Sequence, residues 1–425
     1  MAENNFSLQK TLTMLLDEKK YHSLRDILST MNPADIAAIF DDLDQACLPL
    51  LFRLLPKELA AETFVEMEPE AQELLIRGFS DSELKEVIDE LYVDDAVDIV
   101  EEMPANVVQR ILSQAEPDMR KQINEILRYP EDSAGSIMTT EYVSLRPNMT
   151  VEEAILRIRR TGIDKETIYT CYVTKGHKLI GLVSVKDLLL CEDDNATIES
   201  IMTDHVITVN TLDDQEQVAQ MFSKYDFLAL PVVDTESRLV GIVTFDDAMD
   251  VMQDEATEDM EKMAAMLPSE HPYLRSSPFE IWKNRIPWLM LLMISATLTG
   301  LVITSFEDAL GVLPCLTAFI PMLMDTGGNS VSQACVTVIR GISLDEIEFR
   351  DIFKVVWKEI RVAVLCGICL AVACFAKVML VDHLLLRSES VNAWVALVVS
   401  LSMAVTVFLA KLVGGTLPLL AKKLG

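Results

Sequence analysis

Residues 321–340 read PMLMDTGGNSVSQACVTVIR, a polar insertion in an apolar neighbourhood. From Ala309 to Ile339 the only charged side chain is Asp325, and the run is long enough to cross a bilayer. A charge at the centre of a membrane costs about 3 kcal/mol or more. Asp325, Gly327, Gly328, Asn329, Ser330 and Gln333 are therefore expected to face a water-filled path or other protein. This makes the segment the first candidate for an ion route. Adjacent glycines also let helices pack closely, so pore lining and helix contact both stand as readings. Pro321 and the Gly pair are expected to loosen this helix.

Working outward, the chain divides by charge. Residues 1–282 hold 24 Lys/Arg and 56 Asp/Glu, net −32, whereas residues 283–425 hold 12 and 10, net +2. The first part reads as an acidic soluble region, which repels nucleic acid and attracts cations. The second reads as a membrane domain with four spans, about 286–306, 309–339, 362–381 and 391–410. Arg340, Arg350, Lys354, Lys358 and Arg361 fall between the second and third spans. Lys411, Lys422 and Lys423 follow the fourth, and Lys283 and Arg285 precede the first. The outer loops carry Glu307, Asp308, Asp382, His383, Arg387 and Glu389. This positive-inside bias places the N-terminus and the acidic region in the cytoplasm of a multi-pass protein of the inner or plasma membrane. The opening MAENNFSLQKTLTMLLDEKK lacks the apolar core of a secretory leader. The eight cysteines form no disulfide framework, and Cys366 and Cys369 read as packing residues.

Residues 1–130 read as short amphipathic helices separated by Pro or acidic turns, with apolar spacing such as Leu84, Val87, Ile88 and Leu91. Asn32-Pro33 and Ser80 are expected helix starts. Such units stack into an α-helical superhelix, and a compact bundle fits the pattern nearly as well. After Tyr129 the pattern changes to a duplicated α/β unit over 131–252, with copies at 137–189 and 201–251. Ile137-Met138-Thr139 repeats as Ile201-Met202-Thr203, and GLVSVKD (181–187) repeats as GIVTFDD (241–247). Each Gly-apolar-apolar-Ser/Thr-x-x-Asp fits a strand entering a capped helix. The duplication resembles a tandem pair of CBS domains. That resemblance implies a regulatory module, one able to bind ATP or another adenosine nucleotide. It assigns the ribose position to Asp187 and Asp247, with Thr244 beside the latter, and the second copy is the better candidate. A polar, Met-rich linker or plug helix is expected over 253–282, ahead of the membrane domain at 283–425.

The order of parts, with the strings DDAVDIVEEMP (94–104), EDSAGSIMTTEYVSL (131–145), KYDFLALPVVD (224–234), DEATEDM (254–260), PMLMDTGGNSVSQ (321–333) and KEIRVAVLCG (358–367), resembles the MgtE family of magnesium channels over essentially the whole chain. The resemblance implies a homodimer in the lipid bilayer with its pore at the subunit interface. It implies Mg2+ as both substrate and regulator, and passive flow that stops when cytosolic Mg2+ binds the acidic domains. The sequence departs from the family where it ends, at KLVGGTLPLLAKKLG, before a fifth membrane helix with its pore Asp. A truncated transporter is the expectation from that departure.

Mg2+ is small, hard and slow to shed water, so it calls for oxygen ligands. Asn329, Ser330, Gln333 and Asp325 offer these in the second span. The regulatory ligands are sought among Asp94, Asp95 and Asp98 and, in the CBS pair and linker, Asp213, Asp214, Glu216, Asp226, Asp246, Asp247, Asp250, Asp254, Glu255, Glu258 and Asp259. Part of this set is expected to be plain solvated surface. A non-conducting CBS-containing membrane regulator, sensing cation or nucleotide, is the alternative function. An enzyme is not expected, because no catalytic domain or nucleophile motif is left over.

Overall fold

The computed structural model describes residues 11–16, 18–41, 43–269, 273, 276–344, 346–386 and 390–424. Arg387 and Glu389, expected in an outer loop, lie outside the described residues, as do residues 1–10. Contacts divide the chain into two units, Met1–Thr257 and Glu258–Gly425.

The first unit opens with short helices: α1 (Tyr21–Leu28), α2 (Pro33–Asp41), α3 (Leu48–Phe52), α4 (Lys57–Val65), α5 (Pro69–Gly78), α6 (Asp81–Ile88), α7 (Val93–Glu102), α8 (Ala105–Gln114) and α9 (Pro117–Ile126). Pro69 and Pro117 occupy first-turn positions, where a missing N–H costs nothing. Ser80 caps α6 in a capping box: its Oγ accepts from the Glu83 amide at 3.3 Å, and Glu83 accepts from the Ser80 amide at 2.8 Å. No single helix could bury its apolar stripe alone, and together they share one core from Leu12 to Ile126. The rings of Phe52, Phe64 and Phe79 meet inside it at 5.3–6.5 Å.

Two α/β repeats follow. The first comprises β1 (Val143–Leu145), α10 (Val151–Thr161), β2 (Thr170–Lys175), β3 (Lys178–Ser184) and α11 (Val185–Leu190). After the short α12 (Ile198–Ile201), the second comprises β4 (Val209–Asn210), α13 (Gln215–Tyr225), β5 (Ala229–Val233), β6 (Leu239–Thr244) and α14 (Phe245–Met263). In each sheet the first strand runs parallel to the second and the third antiparallel to it, with Val143 opposite Cys171 and Val209 opposite Val232. The copies clasp each other reciprocally. Thr139 bridges Ile242, and Leu182 bridges Thr203. A Cβ on Gly241 would lie 2.6 Å from Met138 Sδ, and one on Gly181 would lie 2.7 Å from Met202 Sδ. The repeated Met and the repeated Gly are thus two halves of one contact.

The second unit contains α15 (Pro278–Ser305), α16 (Glu307–Val312), α17 (Ile320–Ser343), α18 (Ile352–Lys377), a π-helical continuation (Val378–Leu385), and α19 (Ala393–Leu424). Among the described residues, three stretches are long and apolar enough to cross a membrane: Pro278–Ser305, Phe349–Leu385 and Ala393–Lys423. At 24 residues α17 spans about 36 Å, and its polar residues lower its hydropathy. Several expected boundaries are corrected. The second span does not begin at Ala309, because residues 307–319 form a short helix and a 3-10 turn (Pro314–Phe319) before α17 starts. Pro321 lies in the first turn of α17 and kinks nothing, so the GGN segment is regular helix. The last helix runs on to Leu424 past Pro418, well beyond residue 410. The linker helix starts at Phe245, inside the second repeat, and stops at Met263.

Candidate functional site

Two constellations stand out, and each follows from how a helix divides its faces. In α7, apolar Val93, Ala96, Val97, Ile99 and Val100 are buried in the helical core. Asp94, Asp98, Glu101 and Glu102 fall at i, i+4, i+7 and i+8, on another face. They line a cavity of about 290 Å³ with Asp247, Asp250 and Asp254 from α14 and Gln215 from the start of α13. Asp95 adds its charge beside them, since Asp98 and Asp247 both act on it.

Crowding makes these acids reluctant to ionise. Burial, reinforced by neighbouring carboxylates, pushes Asp94, Asp95, Asp98 and Asp247 up to about 7. Asp98 keeps accessible surface because it lines an open cleft. Burial also raises Asp250, Asp254 and Glu101. Beyond Asp94 lies a tighter group. One ligand oxygen each from Asp94, Glu141 and Glu166 lies within 4.8 Å of the others. Two ionised carboxylates at that distance repel by about 3.5 kcal/mol at an effective dielectric constant of about 20. Glu166 is accordingly pushed up to about 9, by burial first and the charge of Asp94 second.

Other acids read from the sequence do not line the cleft. Asp213 accepts from the Asn210 amide at 2.7 Å, and Asp214 caps α13 by accepting from the Glu216 amide at 3.0 Å. Glu216 accepts from Gln220 at 3.1 Å, and Asp226 closes α13 at a left-handed φ of 54°. Glu255 accepts from Gln215 at 3.1 Å, and Glu258 pairs with Lys262. Asp259 accepts from Ser343 Oγ at 3.2 Å, at the last residue of α17. Thr244 donates to Asp247, as Ser184 does to Asp187 at 2.6 Å, so both ribose candidates sit in the same helix-capping arrangement. Sequence reasoning missed Glu101, Glu102, Glu141, Glu166 and Gln215. The helical spacing from Asp94 was a usable signal for the first two.

The second constellation is α17. Gly327, Ser330, Ala334, Val338 and Gly341 are buried along one side. A Cβ on Gly327 would lie 2.9 Å from Thr406 Cγ2, and one on Gly414 would lie 2.5 Å from the Val331 carbonyl, so small residues set the approach of α17 and α19. Asp325, Gly328, Asn329, Ser332 and Gln333 lie on the exposed side. The two readings of the GGN segment therefore apply to different residues: Gly327 and Ser330 are placed in helix contact, and Gly328 and Asn329 on the open face.

Family models match along the chain: the MgtE intracellular N domain over residues 31–132, the CBS domain over 134–192 and 198–254, and the divalent cation transporter domain over 320–425. The magnesium transporter MgtE of Thermus thermophilus is 37% identical over 424 residues, covering 98% of this chain and 92% of the relative. The chain belongs to the MgtE family. The MgtE of Bacillus subtilis is 30% identical over 414 residues, covering 97% of the chain and 89% of the relative. Among solved structures, the cytosolic domain of the Mg2+ channel MgtE in complex with ATP is 39% identical with a TM-score of 0.54, over 57% of this chain and 99% of that one. The soluble part of a magnesium transporter is 33% identical with a TM-score of 0.55, over 60% of this chain and 100% of that one. These MgtE relatives are transporters, not enzymes.

Proposed function

We propose that this MgtE chain conducts Mg2+ across the cell membrane as a homodimer and is closed by cytosolic Mg2+. The observation that carries the conduction reading is the divided surface of α17. Its small side packs on α19, while Asp325, Gly328, Asn329, Ser332 and Gln333 are left on an open face. In a bilayer that face is costly unless it lines water or meets a second copy. Its oxygens suit an ion that retains part of its hydration shell.

For gating, the ligands are Asp94, Asp95, Asp98, Asp247, Asp250 and Asp254. Mg2+ replaces the repulsion among them with attraction and so favours the closed packing of this cleft. Helix α14 carries Asp247, Asp250 and Asp254 near its start and Asp259, bonded to Ser343 of α17, near its end. For an adenosine nucleotide, Asp187 in the first copy is the better of the two ribose positions, the reverse of the expectation from sequence. Asp247 faces the acidic cleft, which opposes a polyphosphate, whereas Asp187 is exposed.

Flux into proteoliposomes tests this. Mg2+ uptake down its gradient, reduced in Asn329→Ala and Gln333→Ala, is the expected result. Mg2+ binding with no flux would instead favour the non-conducting regulator.

A further inference from the structure

Lys411, which composition places just past the fourth span, lies inside α19 and within the apolar stretch Ala393–Lys423. It is only 6% exposed. Val407, Gly414, Gly415 and Pro418 stand at i−4, i+3, i+4 and i+7 from it, and all are buried. The side chain therefore enters the helix packing instead of reaching the membrane surface, the usual course for a lysine near a helix end. An ionisable residue inside a membrane helix is costly, and it is found where it pairs with another charge or acts on an ion path.

Close packing fixes the level of Lys411. Gly327 of α17 abuts Thr406, and Gly414 abuts Val331 and Ala334, where a Cβ would lie 2.5 Å from the Val331 carbonyl and 3.1 Å from Ala334 Cβ. Lys411 falls between these two contacts, so it stands level with Gly328, Asn329 and Ser330, behind the open face of α17. On its other side runs α18, where Gly367 meets Ala404 and Glu359 meets Gly415. Between them the buried Ala363 leaves room for a long side chain. Glu359 supplies the second observation. A Cβ on Gly415 would lie 2.7 Å from its Cγ, and its Oε2 is buried without a hydrogen-bond partner. Among the described residues no ion pair or hydrogen bond holds Lys411. Two buried, opposite charges one helical turn apart, each lacking another partner, are each other's natural counter-charge.

We propose that Lys411 is a specificity-determining residue for cation passage: its ammonium, with Glu359 as counter-charge, sits behind the GGN segment and weakens the grip of the open face on a divalent ion. The inference rests on the conduction reading. Asp325 and the oxygens of Asn329 and Gln333 attract the ion, and conduction also requires binding weak enough to release it. A fixed positive charge on the neighbouring helix supplies that opposition, and it acts on a divalent ion with twice the energy it exerts on a monovalent one. Glu359 is a positioning residue, which holds the lysine inside the bundle without touching the path.

The test measures Mg2+ uptake into proteoliposomes against external Mg2+, with detergent melting of the same full chain, in wild type, Lys411→Met, Lys411→Arg and Glu359→Gln/Lys411→Met. Both variants without the lysine charge should reach half-maximal uptake at roughly three- to tenfold lower Mg2+, with a lower maximal rate, the scale of one charge acting through partly hydrated surroundings. Lys411→Arg keeps the charge and should hold the wild-type concentration. Lys411→Met should also melt well below wild type, because it strands a buried carboxylate, and the double variant should recover most of that loss. A wild-type half-saturating concentration in the double variant would overturn the proposal and mean that Lys411 only packs α19. Because the double variant buries neither charge, it carries the same readout where Lys411→Met does not fold. A double variant that melts no higher than Lys411→Met would overturn Glu359 as the counter-charge. A wild type that passes no Mg2+ counts against the conduction reading instead, and the melting cycle alone then judges the charge couple.

Discussion

Replacing Asp247 with Asn removes one charge from the cleft at nearly constant shape. Asp247 ordinarily titrates near 3.8, and here it is pushed up to about 7 by burial and by Asp94. Three pH units correspond to about 4 kcal/mol. That figure is an upper bound, because Asp247 is only half-buried and its titration is shared with its neighbours. A discounted 1–2 kcal/mol is a factor of roughly 5–30 in an opening equilibrium. Without divalent cation, Asp247→Asn is therefore expected to close the cleft, the reverse of an ordinary loss-of-contact mutation. The Asn oxygen can still accept from Thr244, so the cap of α14 is kept.

Trypsin cleavage after the exposed Arg128, between the helical domain and the first repeat, reports the open population when closing outpaces cutting. In EDTA, cleavage of Asp247→Asn should be roughly 5–30-fold slower than that of wild type. In saturating Mg2+, wild type should be protected strongly, while the variant, short of one ligand, should gain much less. Faster cleavage of the variant in EDTA, or an undiminished Mg2+ effect, would refute the reasoning.

Acidity should mimic the cation. Asp94, Asp95, Asp98 and Asp247 hold protons in the fold up to about pH 7, while the unfolded chain releases them near pH 4. Between those values the native state binds more protons, so stability in EDTA falls as pH rises through the window and is lowest above about pH 7; melting curves at pH 5 and pH 8 check this. Mg2+ affinity, measured by calorimetry, should change in the opposite sense and rise towards pH 7.5, because the ligands must shed their protons. In α17, Gly327→Val should lower the detergent melting temperature through about 1–3 kcal/mol of overpacking against Thr406. Gly328→Ala, with nothing within 4 Å of its Cβ, should melt within about 0.5 kcal/mol of wild type. Asn329→Ala should leave melting unchanged and cut Mg2+ flux roughly tenfold, the equivalent of about 1.4 kcal/mol for one lost polar contact.

How much of this was legible depends on how locally each feature is encoded. The repeated Ile-Met-Thr and Gly-x-x-Ser/Thr strings marked the CBS pair because each copy must form the same strand and capped helix. Why the glycines are there was not legible, since Gly181 answers Met202 and Gly241 answers Met138 across the pair. Residues 309–319 are as apolar as a membrane helix, so composition alone ran the second span through them. The helix starts at Ile320 because Pro314 and Pro321 favour first-turn positions. The acids of α7 are local and periodic and could be read. Glu141 and Glu166 meet Asp94 only through the docking of α7 on the first repeat, a contact that no sequence period encodes.

The number of cations bound also bears on whether cytosolic Mg2+ can throw a gate. Moving a two-state equilibrium from 1:99 to 99:1 takes about 5.5 kcal/mol of differential binding. One site filled at a hundred times its dissociation constant supplies about 2.7 kcal/mol, and a single site would need cation at some ten-thousandfold that constant. A lone site therefore moves such an equilibrium fully only at a very large excess of cation. Two sites that both exist only in the packed form supply about 5.4 kcal/mol at a hundredfold excess. The cleft sets Asp94 and Asp98 of α7 against Asp247, Asp250 and Asp254 of α14. Removing a carboxylate from either helix should therefore flatten the Mg2+ dependence of closure. Flux measured against internal Mg2+ should lose steepness in Asp98→Asn and in Asp250→Asn alike, and a wild-type slope in both would break the link between these carboxylates and the gate.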